Sequence, residues 1–156
     1  MIRATILLAG MLCGQLAGAF EPSTQIGEKL QAEVRSMTRA IETQDWDATL
    51  ARTHPRILDA MGGLEAARET LNAQMSQIPK ITYELLEFPA SPTFHQGDGR
   101  WFAVIPTHSI ISMSGQQVES WNYQMGILEE DAEDWTFLEG SRFPLVQEQW
   151  FPDFPG

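Results

Sequence analysis

Two spacings of apolar residues divide the chain, one of three to four positions and one of two. From Gln25 to Thr43 the apolar positions Ile26, Leu30, Val34, Met37 and Ile41 line one side of a helix. Asp45 is placed to cap a shorter helix with Trp46 and Leu50 as its apolar positions. Pro55 suits the first turn of a third helix running through Leu58 and Met61, which Gly62-Gly63 breaks. Leu64, Ala67, Leu71 and Met75 then share one face of a helix from Leu64 to Ile78, stopped by Pro79.

Beyond Pro79 the period becomes two. Ile81 to Phe88 is a β-branched and aromatic run, Pro89 and Pro92 bracket a connection, and Gln96-Gly97-Asp98-Gly99 reads as a turn. Trp101 to Met113 and Val118 to Leu128 are long strands joined through Ser114-Gly115-Gln116 as a hairpin, and Trp135 to Glu139 is the last strand. In the second long strand Trp121, Tyr123, Met125 and Ile127 share a face, expected to meet the helices, while Ser120, Asn122, Gln124 and Gly126 share the other. Pro106 cannot donate a ladder hydrogen bond, which predicts a bulge or an edge position there. Helices first and an antiparallel meander afterwards predict an α+β fold with the helices on one face of a curved sheet. After residue 141 comes an aromatic, proline-rich tail with Phe143, Trp150, Phe151 and Phe154. It either packs back over the sheet or forms an exposed patch that meets a partner.

The start of the chain adds a compartment. Arg3, an uncharged apolar run and Ala17-Gly18-Ala19 have the layout of a secretory signal over residues 1–19. The expected mature domain, periplasmic or secreted, then begins at Phe20. Cys13 leaves with that signal, so neither a disulfide nor a thiolate remains. The formal charge of −11 argues against nucleic acid and against an anionic membrane surface as partners. No metal motif, nucleophile elbow or phosphate loop is present, and no cofactor is called for. The acidic run Glu129 to Asp134 lacks the spacing and glycine of a calcium loop and reads as a solvated turn.

The element order and several strings resemble the nuclear transport factor 2-like superfamily over Gln25 to Ser141. The strings are the second helix opening at Asp45-Trp46, His54-Pro55 leading to Met61-Gly62-Gly63, and Trp135-Thr136-Phe137-Leu138-Glu139-Gly140. The chain is similar in particular to exported bacterial members of unknown function. This resemblance implies a cone-shaped fold with a pocket between helices and sheet. It implies a ligand-binding, isomerase or dehydratase activity, or a module that dimerises through the sheet's outer face. No catalytic set of the superfamily is matched by residues of this chain.

Candidate chemistry falls on few residues. Of His54, His95 and His108, the last follows Pro106-Thr107 in the strand expected to curve, where an imidazole can serve as acid or base. Glu119 is a second candidate base, and Tyr123 a hydrogen-bond donor to a developing oxyanion. Trp121, Tyr123 and Met125, with His108, are the expected lining of an aromatic pocket for a small hydrophobic or amphipathic ligand. A homodimer through the Ser120, Asn122 and Gln124 face, or contacts made by the Phe143 to Phe154 tail, is the interaction alternative.

Overall fold

A computed structural model describes residues 21–75, 77 and 79–155 of this chain, so the signal expected over residues 1–19 lies outside the described residues. Four helices come first: α1 (Thr24–Glu42), α2 (Trp46–Leu50), α3 (Pro55–Ala60) and α4 (Leu64–Met75). Ser23 caps α1 by accepting the Ile26 N–H at 3.3 Å, and Asp45 caps α2 through the Ala48 N–H at 3.0 Å. His54 takes the same role at α3, its Nδ1 accepting the Arg56 N–H at 3.3 Å ahead of Pro55. Gly62 and Gly63 have φ of +91° and +97°, a conformation that glycine adopts without steric cost, and this releases the chain into α4.

Five antiparallel strands follow: β1 (Ile81–Glu87), β2 (Thr93–Gln96), β3 (Arg100–Met113), β4 (Gln116–Glu129) and β5 (Thr136–Glu139). A fifth helix, α5 (Phe143–Trp150), begins what the sequence suggested was a tail. The α+β expectation holds, with an open sheet in which β3 pairs β4 and β4 pairs β5. β1 and β2 share the remaining edge of β3. The β3–β4 register is unbroken from Arg100↔Glu129 to Met113↔Gln116. Its two-residue turn, Ser114-Gly115, has positive φ at both positions, the twist that right-handed strand pairs favour.

Pro106 interrupts nothing in that ladder. It pairs with Tyr123, whose carbonyl is turned away to accept the Gly140 N–H at 2.8 Å. The missing donor of Pro106 therefore points to the opposite edge of β3, between the stretches taken by β2 (to Val104) and β1 (from His108). Of the bulge or edge position expected there, Pro106 has the edge position, unpaired on the side away from β4, and the sheet's bulge lies in β1, between Tyr83 and Leu85. Tyr83 donates its N–H to Glu42 Oε1 at 2.7 Å, tying the end of α1 to the start of the sheet. On β5, Phe137 bonds the chain between α2 and α3: its N–H reaches Arg52 O at 2.8 Å, and its carbonyl takes the His54 N–H at 3.2 Å.

The sheet has apolar cover on one face and, on the other, over the half nearest α5. On one, Leu30 and Val34 of α1 pack on Ala103, Ile105 and Phe137, with Trp135 completing the cluster. On the other, Phe143 of α5 and Phe151 behind it pack on Phe102, Met125, Ile127 and Leu138. This corrects the expected orientation of β4. Tyr123, Met125 and Ile127 face α5 and the C-terminal segment, not α1, and Trp121 on the same face is 67 % exposed. Alternation distinguished the two faces of the strand, but with apolar cover on both sides it did not say which cover each face meets. From Ser120 to Gly126 the α1 face instead carries small or polar β4 residues, filled in by large neighbours. A Cβ on Gly126 would stand 3.1 Å from the Trp135 ring and 3.6 Å from that of Phe137.

Candidate functional site

A cavity of about 570 Å³ opens between the helices and the α1 face of the sheet, extending round the β5 edge to α5. Its apolar wall comes from every helix: Met37 and Ile41 on α1, Leu50 on α2, Ile57 on α3, Leu71 on α4, and Val146 and Trp150 on α5. Phe137 and Leu138 of β5 close its sheet side. Helices as short as α2 have little stability alone, and α2 is held by burying Trp46 and Leu50. Polar groups enter at a few points: Tyr83 on β1, Gln124 on β4, Glu139 on β5, and Arg142 just before α5. Burial, and then the nearby carboxylates of Glu139 and Glu42, push the Tyr83 phenol above its ordinary pKa. At neutral pH it is a hydrogen-bond donor in a largely apolar wall.

The residues singled out from sequence stand elsewhere. Glu119, Trp121, Tyr123 and Met125 occupy the α5 face of β4, and His108 the same face of β3, paired with Trp121. None of them lines the cavity. Met125 is fully buried in the core beneath α5, and Tyr123 packs at that core's margin beside Gly140, its phenol pushed upward by burial. Gln124, expected on an outward polar face, does line the cavity.

His108, Glu119 and Trp121 do come together. The imidazole stacks on the indole with centroids 4.0 Å apart and planes 15° from parallel. Its Nε2 is 2.8 Å from Glu119 Oε1, and its Nδ1 is 3.4 Å from Glu87 Oε2 on β1. The Glu119 hydrogen bond, opposed by partial burial and reinforced by Glu87, holds the His108 pKa above its usual value. Glu87 was not singled out from sequence. It reaches this cluster because β1 pairs with β3, and a pairing partner is not written in a strand's own pattern.

His54 has the opposite character. It is 2 % exposed, edge-on to Phe151 with centroids 5.1 Å apart, and its Nε2 faces Glu129 at 3.5 Å without hydrogen-bond alignment. Burial lowers its pKa, against the pull of Glu129 and with the push of Arg56 and Arg100. Arg100 lies between Glu129 at 3.5 Å and Asp153 at 3.4 Å, and the Asp153 carboxylate accepts the Asp98 N–H at 3.1 Å. This charge chain, with Phe151 and Phe154 against Phe102, fixes the segment after α5 onto the sheet.

Among the described residues no three His, Cys, Asp or Glu side chains gather as metal ligands, and no helix is long and apolar enough to cross a membrane. No protein-family model matches this chain, and no curated protein or solved structure shows a significant similarity to it.

Proposed function

We propose that this chain is an exported small-molecule-binding domain built as a nuclear transport factor 2-like cone, and that the cavity between the helices and the α1 face takes a small amphipathic ligand. The observation that carries the reading is the cavity itself. About 570 Å³ suits a small molecule, its wall is apolar, and its polar groups are few and placed apart. Tyr83 on β1 and the paired Gln124 and Glu139 on β4 and β5 supply them, so they orient the polar end of a ligand whose body lies against Met37, Ile41 and Leu71.

The isomerase or dehydratase alternative assigns the base to His108 or Glu119. Both stand across the sheet from the cavity, out of reach of a ligand held there. That geometry favours binding over catalysis by those groups. The export part of the proposal rests on residues 1–19 and is tested by sequencing the N-terminus of the secreted product, which should begin at Phe20.

Native mass spectrometry of freshly purified protein, followed by a thermal-shift panel of lipids and metabolites, tests the binding reading. A co-purifying species, or a shift abolished by filling the cavity with Leu71→Trp, supports it. If no ligand co-purifies and nothing in the panel shifts the wild type, the reading fails.

A further inference from the structure

The α5 face of the sheet is only half covered, and the uncovered half carries a second, independent constellation. α5 and the segment after it reach as far as Val104 and Tyr123. Beyond them, toward the β3–β4 turn, stand Trp121, His108, Ile110 and Leu85, flanked by the exposed carboxylates of Glu87 and Glu119. One face of the Trp121 indole is taken by His108, and the ring remains 67 % exposed. Because His108 is bonded on both ring nitrogens, its stack holds the indole in one orientation at little further entropic cost.

The charges in this half do not balance. Two carboxylates face one imidazole, so one negative charge is in excess when His108 is protonated and two when it is not. No Lys or Arg occurs in the strand segments that form it, 82–87, 108–113 and 116–121. A flat exposed aromatic beside an unbalanced carboxylate matches a guanidinium, which stacks on an aromatic face while its fork donates to a carboxylate. An ammonium has no such plane.

We propose that the open half of this sheet face docks a partner protein through an exposed arginine, whose guanidinium lies on the outer face of Trp121 and donates to Glu119. The complementarity is local, and it differs from the chain's general attraction for cations, which follows from its net charge of −11 and makes no distinction between lysine and arginine.

That distinction is the test. Fluorescein-labelled hexa-arginine and hexa-lysine are titrated against the purified protein by fluorescence anisotropy at physiological salt. Hexa-arginine is expected to bind about tenfold more tightly, the scale of a partly desolvated cation–π contact with its hydrogen bonds. Trp121→Ala should bring the two peptides to equal affinity, and Glu119→Gln should weaken hexa-arginine more than hexa-lysine. Glu130→Gln, removing a carboxylate in the distant β4–β5 turn, should leave the preference intact. Equal binding of both peptides by the wild type, or an arginine preference that survives both Trp121→Ala and Glu119→Gln, overturns the proposal. Glu119→Gln alters an exposed side chain and leaves an amide oxygen to accept from His108 Nε2, so the outcome does not depend on how Trp121→Ala folds.

Discussion

The two halves of the α5 face use the same ingredients to opposite effect. Each pairs a histidine with a glutamate and an aromatic ring: His54 with Glu129 and Phe151, His108 with Glu119 and Trp121. Under the C-terminal segment the ring is buried, the carboxylate is not aligned, and burial lowers the imidazole's pKa. In the open half two carboxylates reach the ring and raise its pKa. Solvent access and hydrogen-bond alignment, rather than the residue types, decide in which direction each imidazole's pKa moves.

The largest way to break this contrast is Phe151→Ala. It empties the centre of a fully buried aromatic cluster and should cost about 3–5 kcal/mol, read by urea denaturation. In NMR titrations the same variant should move the His54 pKa up toward its ordinary value, because the burial that lowers it is relieved. A His54 pKa unchanged in a folded Phe151→Ala protein would contradict that cause.

Next in size is the acid side of the stability profile. The folded pKa of His54 is depressed, so the unfolded chain takes up its proton first as pH falls. Stability should therefore be full above about pH 6.5 and decline as pH drops toward the folded value. His54→Asn keeps a capping side chain at α3 and should flatten this slope. An equally steep decline in that variant would assign it to other groups.

His108 should act in the reverse sense and more weakly, since its partners are exposed. Its folded pKa is raised, so its contribution is complete below about pH 6.5 and disappears as pH rises through the folded value. His108→Gln should remove this alkaline loss and leave the acid side unchanged in thermal melts across pH. The smallest effect belongs to Trp121→Ala, expected within about 0.5 kcal/mol of wild type because most of the ring already faces water. A loss as large as that of Phe151→Ala would mean that the open half is not open.

Local order was readable where it rests on short-range chemistry. The stripe from Ile26 to Ile41, the Asp45 cap, Pro55 at a helix start and the Ser114-Gly115 turn each depend on residues within a few positions of one another. β2 escaped because four residues between Pro92 and Gly97 are too few to show alternation. α5 escaped because its prolines and aromatics resemble a loop, and its helix is stabilised by packing Phe143 under the sheet rather than by propensity. The cavity was expected between helices and sheet, but its lining was assigned to the wrong face of β4. Once α5 covers the second face, hydrophobicity no longer tells inside from outside. The cluster around His108 was half legible: His108, Glu119 and Trp121 were named, while Glu87 depended on which strand lies beside β3.

The hydrogen bonds between Phe137 and the chain at Arg52 and His54 have a consequence for how this protein assembles. β5 is the last strand made, and its free edge is closed by a segment from the first half of the sequence. Until that distant segment docks, β5 presents unpaired backbone groups that can recruit a strand from a neighbouring molecule. Joining positions so far apart in sequence is slow compared with closing the β3–β4 hairpin. The vulnerable interval in folding is therefore the one between completing the sheet and seating the helices, and dilution should raise refolding yield most during that interval.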